Sequence, residues 1–369
     1  MGARTLIVTN DFPPRPGGIQ AFVHGLACRL PPDSVVVYAP RWKGSERFDA
    51  RQPYEVVRHP STLMLPTRTV AARAAGLVED GATVVFGAAA PLGLLAPALR
   101  AAGAARVVML THGHEASWAR LPVARTLLGR IGAGADAVTY LGGYTRRRLA
   151  AVVPEAKLVR LAPGVDTAVF RPGAGRDEVR AALALGDRPT VVCVSRLVPR
   201  KGQDMLIRAW PRVLRRVRDA VLLLVGGGPS RAALERAVRR LGLRDSVVFT
   251  GSVPWAALPA HYAAGDVFAM PCRSRLGGLD VEGLGIVYLE ASATGLPVVA
   301  GSSGGAPDAV RHGETGLVVD GGSPDEIARA LTGLLADPGR ARAMGERGRA
   351  WIEREWHWDH VAARFTGLL

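Results

Sequence analysis

Two glutamates, Glu282 and Glu290, stand eight positions apart in the stretch "EGLGIVYLEASATG". Gly283 and Gly285 follow the first acid, and an apolar run encloses the second. This pattern predicts a loop around Glu282 and a helix over 286–294, closed by Gly295 and Pro297. The start of that helix, at Gly285, Ile286 and Val287, would offer free backbone N–H groups to a phosphate. Glu290, one turn in, can accept hydrogen bonds from a ribose. Glu282, ahead of the helix, would lie near whatever the phosphate carries. The arrangement suits a sugar nucleotide. The alternative is two solvated acids flanking a helix start.

Three other stretches carry candidate chemistry. In "SRLVPRKGQD" (195–204), Arg196, Arg200 and Lys201 follow a strand-like run and can neutralise a diphosphate, arginine as a bidentate fork and lysine as a point charge. Read by charge alone, the same stretch is a basic solvated loop. In "NDFPPRPGGIQ" (10–20), Gly17 and Gly18 sit where a strand gives way to a helix, as a phosphate-proximal loop or as a tight turn. It matches neither G-x-G-x-x-G nor a Walker A loop. In "THGHE" (111–115), His112 and His114 end a strand. They are a catalytic or substrate-binding pair, a structural pair, or half of a metal site. No further ligands cluster nearby in sequence, which argues against metal.

These loops need strands to hold them. Short Val-rich runs at 5–9, 34–39, 83–87, 106–111 and 136–141 alternate with helical stretches such as 19–30 and 68–80. The pattern restarts at 190–195, 220–226, 246–251, 266–271 and 296–301, spaced by amphipathic segments such as 203–217 and 230–241. Such runs fit parallel strands buried on both faces, and two series of them predict two doubly wound α/β domains. A cluster of Gly and Pro over 162–175 marks the join, with the linker at about 166–176. The expected domains are 1–168 and 169–354. The tail 351–369, with Trp351, Trp356 and Trp358, should be helical, with its last part, about 355–369, packing back on the first domain.

Composition narrows the class. A chain of 369 residues with 48% apolar residues fills two cores. The longest apolar run, Val84–Leu99, contains Pro91 and Pro97 and is too short to span a bilayer. The apolar segment "TLIV" is too short for a secretory signal. Cys28, Cys193 and Cys272 are few and scattered, which suggests a reducing compartment and no disulfide framework. A net charge of +15 calls for an anionic partner, unless it reflects arginine spread over solvated faces by genome composition. Nucleic acid is disfavoured: no recognition motif is present and aromatics are only 6% of the chain, few for base stacking.

Taken jointly, the motifs resemble the retaining glycosyltransferases of family 4, which have the GT-B fold. E-x7-E after a glycine loop, an Arg and a Lys five apart after a second-domain strand, the early Gly-Gly loop and the linker-like "GVDTAVFRP" (164–172) carry the resemblance over nearly the whole chain. "MLPT" (64–67), "FGAAAPL" (86–92), "THGHE" and "GGLDVEGLGIVYLEA" are further similar to the actinobacterial branch that adds an α-1,6 mannose from GDP-mannose to phosphatidylinositol monomannoside.

The resemblance implies two Rossmann-like domains facing a central cleft. It implies a nucleotide-sugar donor, a glycolipid acceptor and no cofactor or metal. It implies work as a cytoplasmic, peripheral protein at the anionic inner leaflet of the plasma membrane, with 40–51 and 68–80 as the basic contact. By position, Gly17 and Gly18 would approach the diphosphate. Arg196 and Lys201 would hold the phosphates with Gly285, Ile286 and Val287. Glu290 would bind the ribose, and Glu282 the donor sugar. His112 would assist catalysis, and Asp11 and His114 would lie near the acceptor. Another family 4 donor or acceptor, or a GT-B sugar-nucleotide epimerase, would use many of the same residues.

Overall fold

The computed structural model describes residues 4–369. The chain divides into two compact units, the first running to Gly164 and including Asp359–Leu369, the second Val165–Trp358.

The first unit is built on seven parallel strands: β1 (Thr5–Val8), β2 (Val35–Pro40), β3 (Glu55–His59), β4 (Thr83–Phe86), β5 (Arg106–Met109), β6 (Ala137–Tyr140) and β7 (Leu158–Arg160). Their order is β3-β2-β1-β4-β5-β6-β7. The chain winds outward from β1 in both directions, so β1 and β4 flank the topological switch point, where open α/β sheets place their ligands. Leu6, Val8, Val36, Val84, Phe86, Val107 and Met109 fill the core on one side of this sheet. The strand runs are apolar without alternation because helices cover both faces.

The second unit has six parallel strands: β8 (Thr190–Val194), β9 (Val221–Val225), β10 (Val247–Gly251), β11 (Val267–Met270), β12 (Val298–Gly301) and β13 (Gly316–Val319). The order β10-β9-β8-β11-β12-β13 puts its switch point between β8 and β11. Registers are regular except for a shift between Phe249 and Gly251 at the β10–β9 pair.

Three strands escape the sequence reading: β3, β7 and β13. All three are sheet edges. The tail is helical but broken. It forms two helices, Pro338–Glu355 and Trp358–Thr366. Trp351 and Trp356 are buried in the second unit, edge to face at 5.5 Å, and the Val165 N–H donates to the Trp356 carbonyl at 2.9 Å. Only Asp359–Leu369 belongs to the first unit, where Val361 and Phe365 are buried and the Thr83 hydroxyl donates to the Leu369 carbonyl at 2.9 Å.

Candidate active site

In the second unit, every nominated residue sits just beyond β8 or β11. β8 ends at Val194, and the chain turns through 195–202 into the helix Gln203–Leu214. Gly202, with φ +80°, makes that entry; a Cβ there would lie 2.1 Å from the Pro271 carbonyl oxygen, so the turn packs directly on the end of β11. The buried Gln203 amide donates to the Ser195 hydroxyl at 2.7 Å and to the Arg196 carbonyl at 3.1 Å. This fixes the backbone of Arg196 and leaves its exposed side chain projecting from a pinned turn.

Lys201 and Glu282 meet across this turn. The Lys201 ammonium donates to Glu282 Oε2 at 2.6 Å, with both side chains largely buried. Arg200 adds a second cation, its Nε 3.8 Å from the same oxygen and its Nη1 3.5 Å from Asp280. The Glu282 loop is clamped by its own backbone: the Gly305 N–H donates to the Glu282 carbonyl at 2.8 Å. Cβ atoms at Gly304 and Gly305 would stand 2.1 Å from the Glu282 carbonyl oxygen and 2.0 Å from that of Gly283.

The helix after this loop runs Ile286–Ala293. Gly285 precedes it with φ +83°, and no side chain caps it. Its first N–H groups, at Ile286 and Val287, are therefore available to an anion, while the Tyr288 N–H donates to the Gly285 carbonyl at 3.0 Å. Glu290 lies one turn along and is buried. Its Oε2 accepts from the Tyr262 hydroxyl at 2.6 Å. Burial pushes the Glu290 carboxyl up to about 7, while the Tyr262 hydrogen bond favours the ionised form.

In the first unit, the nominated residues gather past the ends of β1, β4 and β5. His112 follows β5, and its Nε2 lies 2.5 Å from the Gly87 carbonyl just past β4. A carbonyl only accepts, so Nε2 carries the proton and Nδ1 keeps a lone pair in the neutral ring. Burial holds His112 below the ordinary imidazole value, against the opposing pull of Glu115 and the Gly87 carbonyl, so the ring is neutral at pH 7. The fully buried Glu115 accepts from the His112 backbone N–H at 2.9 Å through Oε2, and its Oε1 lies 3.1 Å from His114 Nε2. His114 itself is exposed.

Past β1, Asp11 accepts from the Gln20 amide at 2.7 Å, and the Asn10 side chain makes a two-way pair with the Met64 backbone at 2.9 and 2.8 Å. Gly17 and Gly18 begin the helix Gly18–Ala27 with no side-chain cap. A Cβ on Gly18 would meet nothing within 4 Å, so Gly18 faces open space, whereas one on Gly17 would stand 2.0 Å from Gln20 Oε1.

Each unit thus gathers its nominated residues beyond the carboxyl ends of strands at or next to its switch point. The supporting partners were not legible. Tyr262 precedes Glu290 by 28 residues on another helix, and nothing local ties the two. Gln203 and Glu115 did leave a local signal, each standing directly beside a nominated motif, in "KGQD" and "HGHE". Among the described residues, no group of three or more His, Cys, Asp or Glu side chains is placed to hold a metal. Likewise, no described helix is long and apolar enough to cross a membrane.

Comparison with known proteins follows the same division. The family described as "Glycosyltransferase Family 4" matches residues 16–169, and "Glycosyl transferases group 1" matches 175–351. A Mycolicibacterium smegmatis protein, named GDP-mannose-dependent alpha-(1-6)-phosphatidylinositol monomannoside mannosyltransferase, is 57% identical over 372 residues, covering 99% of this chain and 97% of its own. A Mycobacterium tuberculosis protein of the same name is 55% identical over 377 residues, covering 100% and 98%. Among solved structures, Anabaena Alr3699/HepE in complex with UDP superposes with a TM-score of 0.84 at 20% identity, covering 99% of this chain and 98% of that one. At that identity the likeness speaks for the fold alone.

Proposed function

The chain belongs to the family 4, group 1 glycosyltransferases, and we propose that it transfers mannose from GDP-mannose to phosphatidylinositol monomannoside in an α-(1-6) linkage. The observation that carries this reading is the full-length identity to the mycobacterial enzymes so named.

The residue chemistry supports it. A departing GDP gathers negative charge on its diphosphate. Arg196, Lys201 and the N–H groups of Gly285, Ile286 and Val287 stabilise that charge, and this is the role a metal plays in other transferases. Gly18 leaves room for the diphosphate to approach the backbone, and at Gly17 the Gln20 side chain has to give way. Glu290 takes the ribose hydroxyls. Glu282 takes a hydroxyl of the donor sugar, its charge held in place by Lys201. Neutral His112 offers the Nδ1 lone pair to a hydroxyl of the same sugar. Asp11 and His114 serve the acceptor side. Stereochemistry is retained by front-face attack, with the leaving phosphate taking the acceptor proton. No cofactor or metal enters this scheme.

The acceptor is an anionic lipid, so we further infer peripheral binding at the cytoplasmic face of the plasma membrane. Exposed Trp42 lines a concavity of about 490 Å³ with Arg41, Lys43, Arg47, Pro60 and Thr62, and Glu46 there pairs with Arg41. Such a mixture of an apolar tip and cations suits a charged bilayer surface, at roughly 1 kcal/mol per basic residue. Sedimentation with anionic and with neutral vesicles tests this part: equal binding to both would remove the electrostatic contact.

Incubation with labelled GDP-mannose and with UDP-glucose, each with lipid extract containing phosphatidylinositol monomannoside, tests the whole reading. A dimannosylated lipid formed from GDP-mannose alone supports it. Consumption of UDP-glucose would move the chain to another donor within the family.

A further inference from the structure

Between β11 and the Glu282 loop, the second unit carries a small hairpin over 275–280. Its base is closed in both directions: the Arg275 N–H donates to the Asp280 carbonyl at 2.9 Å, and the Asp280 N–H to the Arg275 carbonyl at 3.2 Å. Within the turn, the Gly278 N–H donates to the Arg275 carbonyl at 2.9 Å. The base is also tied to the loop that follows β8. Arg273 grips both carboxylate oxygens of Asp204 at 2.9 Å, and its N–H donates to the Arg200 carbonyl at 2.9 Å. Arg200 Nη1 in turn lies 3.5 Å from Asp280, two residues before Glu282.

The tip of this pinned turn is apolar and faces solvent. Leu276 is 72% exposed and Leu279 39%. Leu276 also has φ +51°, left-handed backbone that a leucine rarely adopts, and Gly277 and Gly278 follow at +61° and +86°. Core packing does not ask for a leucine here, since its side chain is in water, and glycine would hold the same turn without strain. Backbone strain held by the surrounding structure, for a side chain the core does not use, points to a contact with something outside the fold. The charges at the base indicate its kind. Arg200, Lys201 and Arg275 there face two acids, Asp280 and Glu282, with Arg275 Nη1 3.8 Å from Asp280. One positive charge is left over beside an apolar tip.

We propose that the 275–280 hairpin is an acceptor-binding element, with Leu276 touching the acyl chains of a lipid acceptor whose head group lies toward Glu282. An apolar tip above a surplus cation, rooted beside the residue assigned to the donor sugar, matches a molecule with a phosphodiester between its chains and its sugars. This contact presupposes the transferase function and adds to it a selectivity for acylated acceptors.

The test uses two acceptors that stay monomeric in solution, so that no bilayer takes part: phosphatidylinositol monomannoside with short acyl chains, and its deacylated counterpart. The wild-type chain should prefer the acylated acceptor in kcat/KM by about tenfold or more, the size that covering part of one leucine with hydrocarbon supports. Leu276→Gly should remove most of that preference while GDP affinity and turnover of the deacylated acceptor stay unchanged. Its melting temperature should hold, because glycine takes left-handed backbone freely. Leu276→Asn, which also tolerates that backbone, should behave alike. Equal use of both acceptors by the wild type, or a preference that survives both substitutions, overturns the contact and leaves the transferase reading standing. An equal loss on both acceptors also overturns it, because the hairpin would then only support the Glu282 loop. Transfer to neither acceptor by the wild type removes the transferase reading and the contact with it.

Discussion

The Lys201 ammonium lies 2.6 Å from Glu282 Oε2, although the two residues are 81 positions apart. Both side chains are about nine-tenths buried. Each is the nearest counter-charge of the other, with Arg200 a more distant second cation on Glu282. Removing one partner of a buried pair leaves an unpaired charge and costs about 3 kcal/mol or more, whereas removing both costs less. Lys201→Met and Glu282→Gln should each lower the melting temperature, Lys201→Met more. The double variant should be more stable than Lys201→Met alone, while all three lose transferase activity. Recovery of activity in the double variant would mean the pair is purely structural.

Glu290 gives a pH dependence with a defined sign. Its carboxyl titrates at about 7 in the fold, well above an ordinary glutamate. The folded state therefore binds more protons than the unfolded one between the ordinary value and about 7. Its contribution to stability falls as pH rises through that window and is flat above it. Donor binding has the opposite trend, because an ionised carboxylate is the better acceptor for ribose hydroxyls. Calorimetric titration with GDP should show affinity rising from about pH 6 to about pH 8. Glu290→Gln should abolish that slope, and Tyr262→Phe should move it to higher pH, since the lost hydrogen bond favours the ionised form.

His112→Ala should preserve the fold and leave GDP affinity within a few-fold. Loss of one preorganised contact to the transition state should lower kcat by on the order of 100-fold to 1,000-fold. Because burial keeps the ring neutral, the wild-type rate should show no titration of His112 between about pH 7 and about pH 9. Steady-state kinetics with GDP-mannose and lipid acceptor reads both. Near-normal turnover in the variant would remove His112 from the catalytic set.

Gly305 tests whether the Glu282 loop is held by backbone contact. A Cβ there would stand 2.0 Å from the Gly283 carbonyl oxygen, with main chain on both sides. Gly305→Ala should therefore displace the loop, lower stability by about 1–3 kcal/mol and weaken donor binding. Gly333→Ala is the control: it lies in the helix Pro324–Leu335, its Cβ would meet nothing within 4 Å, and it should be neutral or stabilising. Equal effects at both positions, in melting and in donor titration, would contradict the loop argument.

The sequence reading reached every interior strand but only one of the four edges, Val247–Gly251. Strands such as Val221–Val225 are buried at every position and appear as unbroken apolar runs. Edge strand Glu55–His59 is exposed or half-buried throughout and carries Glu55, Arg58 and His59, so no apolar run marks it. Leu158–Arg160 has only three residues, all half-buried. The same division holds for the site. Loop and helix-start residues were legible because glycines, charges and strand ends mark them locally. Tyr262 behind Glu290 and the Lys201–Glu282 pair were not, because they depend on which strands become neighbours. The tail shows the limit differently: its tryptophans signalled burial, but the expected return of about 355–369 to the first domain begins only at Asp359, and Trp356 is buried in the second unit.

The most direct measurement of the central claim is the linkage of the product. Purified chain, GDP-mannose and phosphatidylinositol monomannoside should yield one new lipid, and NMR of its head group should show a single added mannose, α-configured and joined at a 6-oxygen. A β-configured mannose, a linkage elsewhere, or GDP release with no mannosylated lipid would contradict the account.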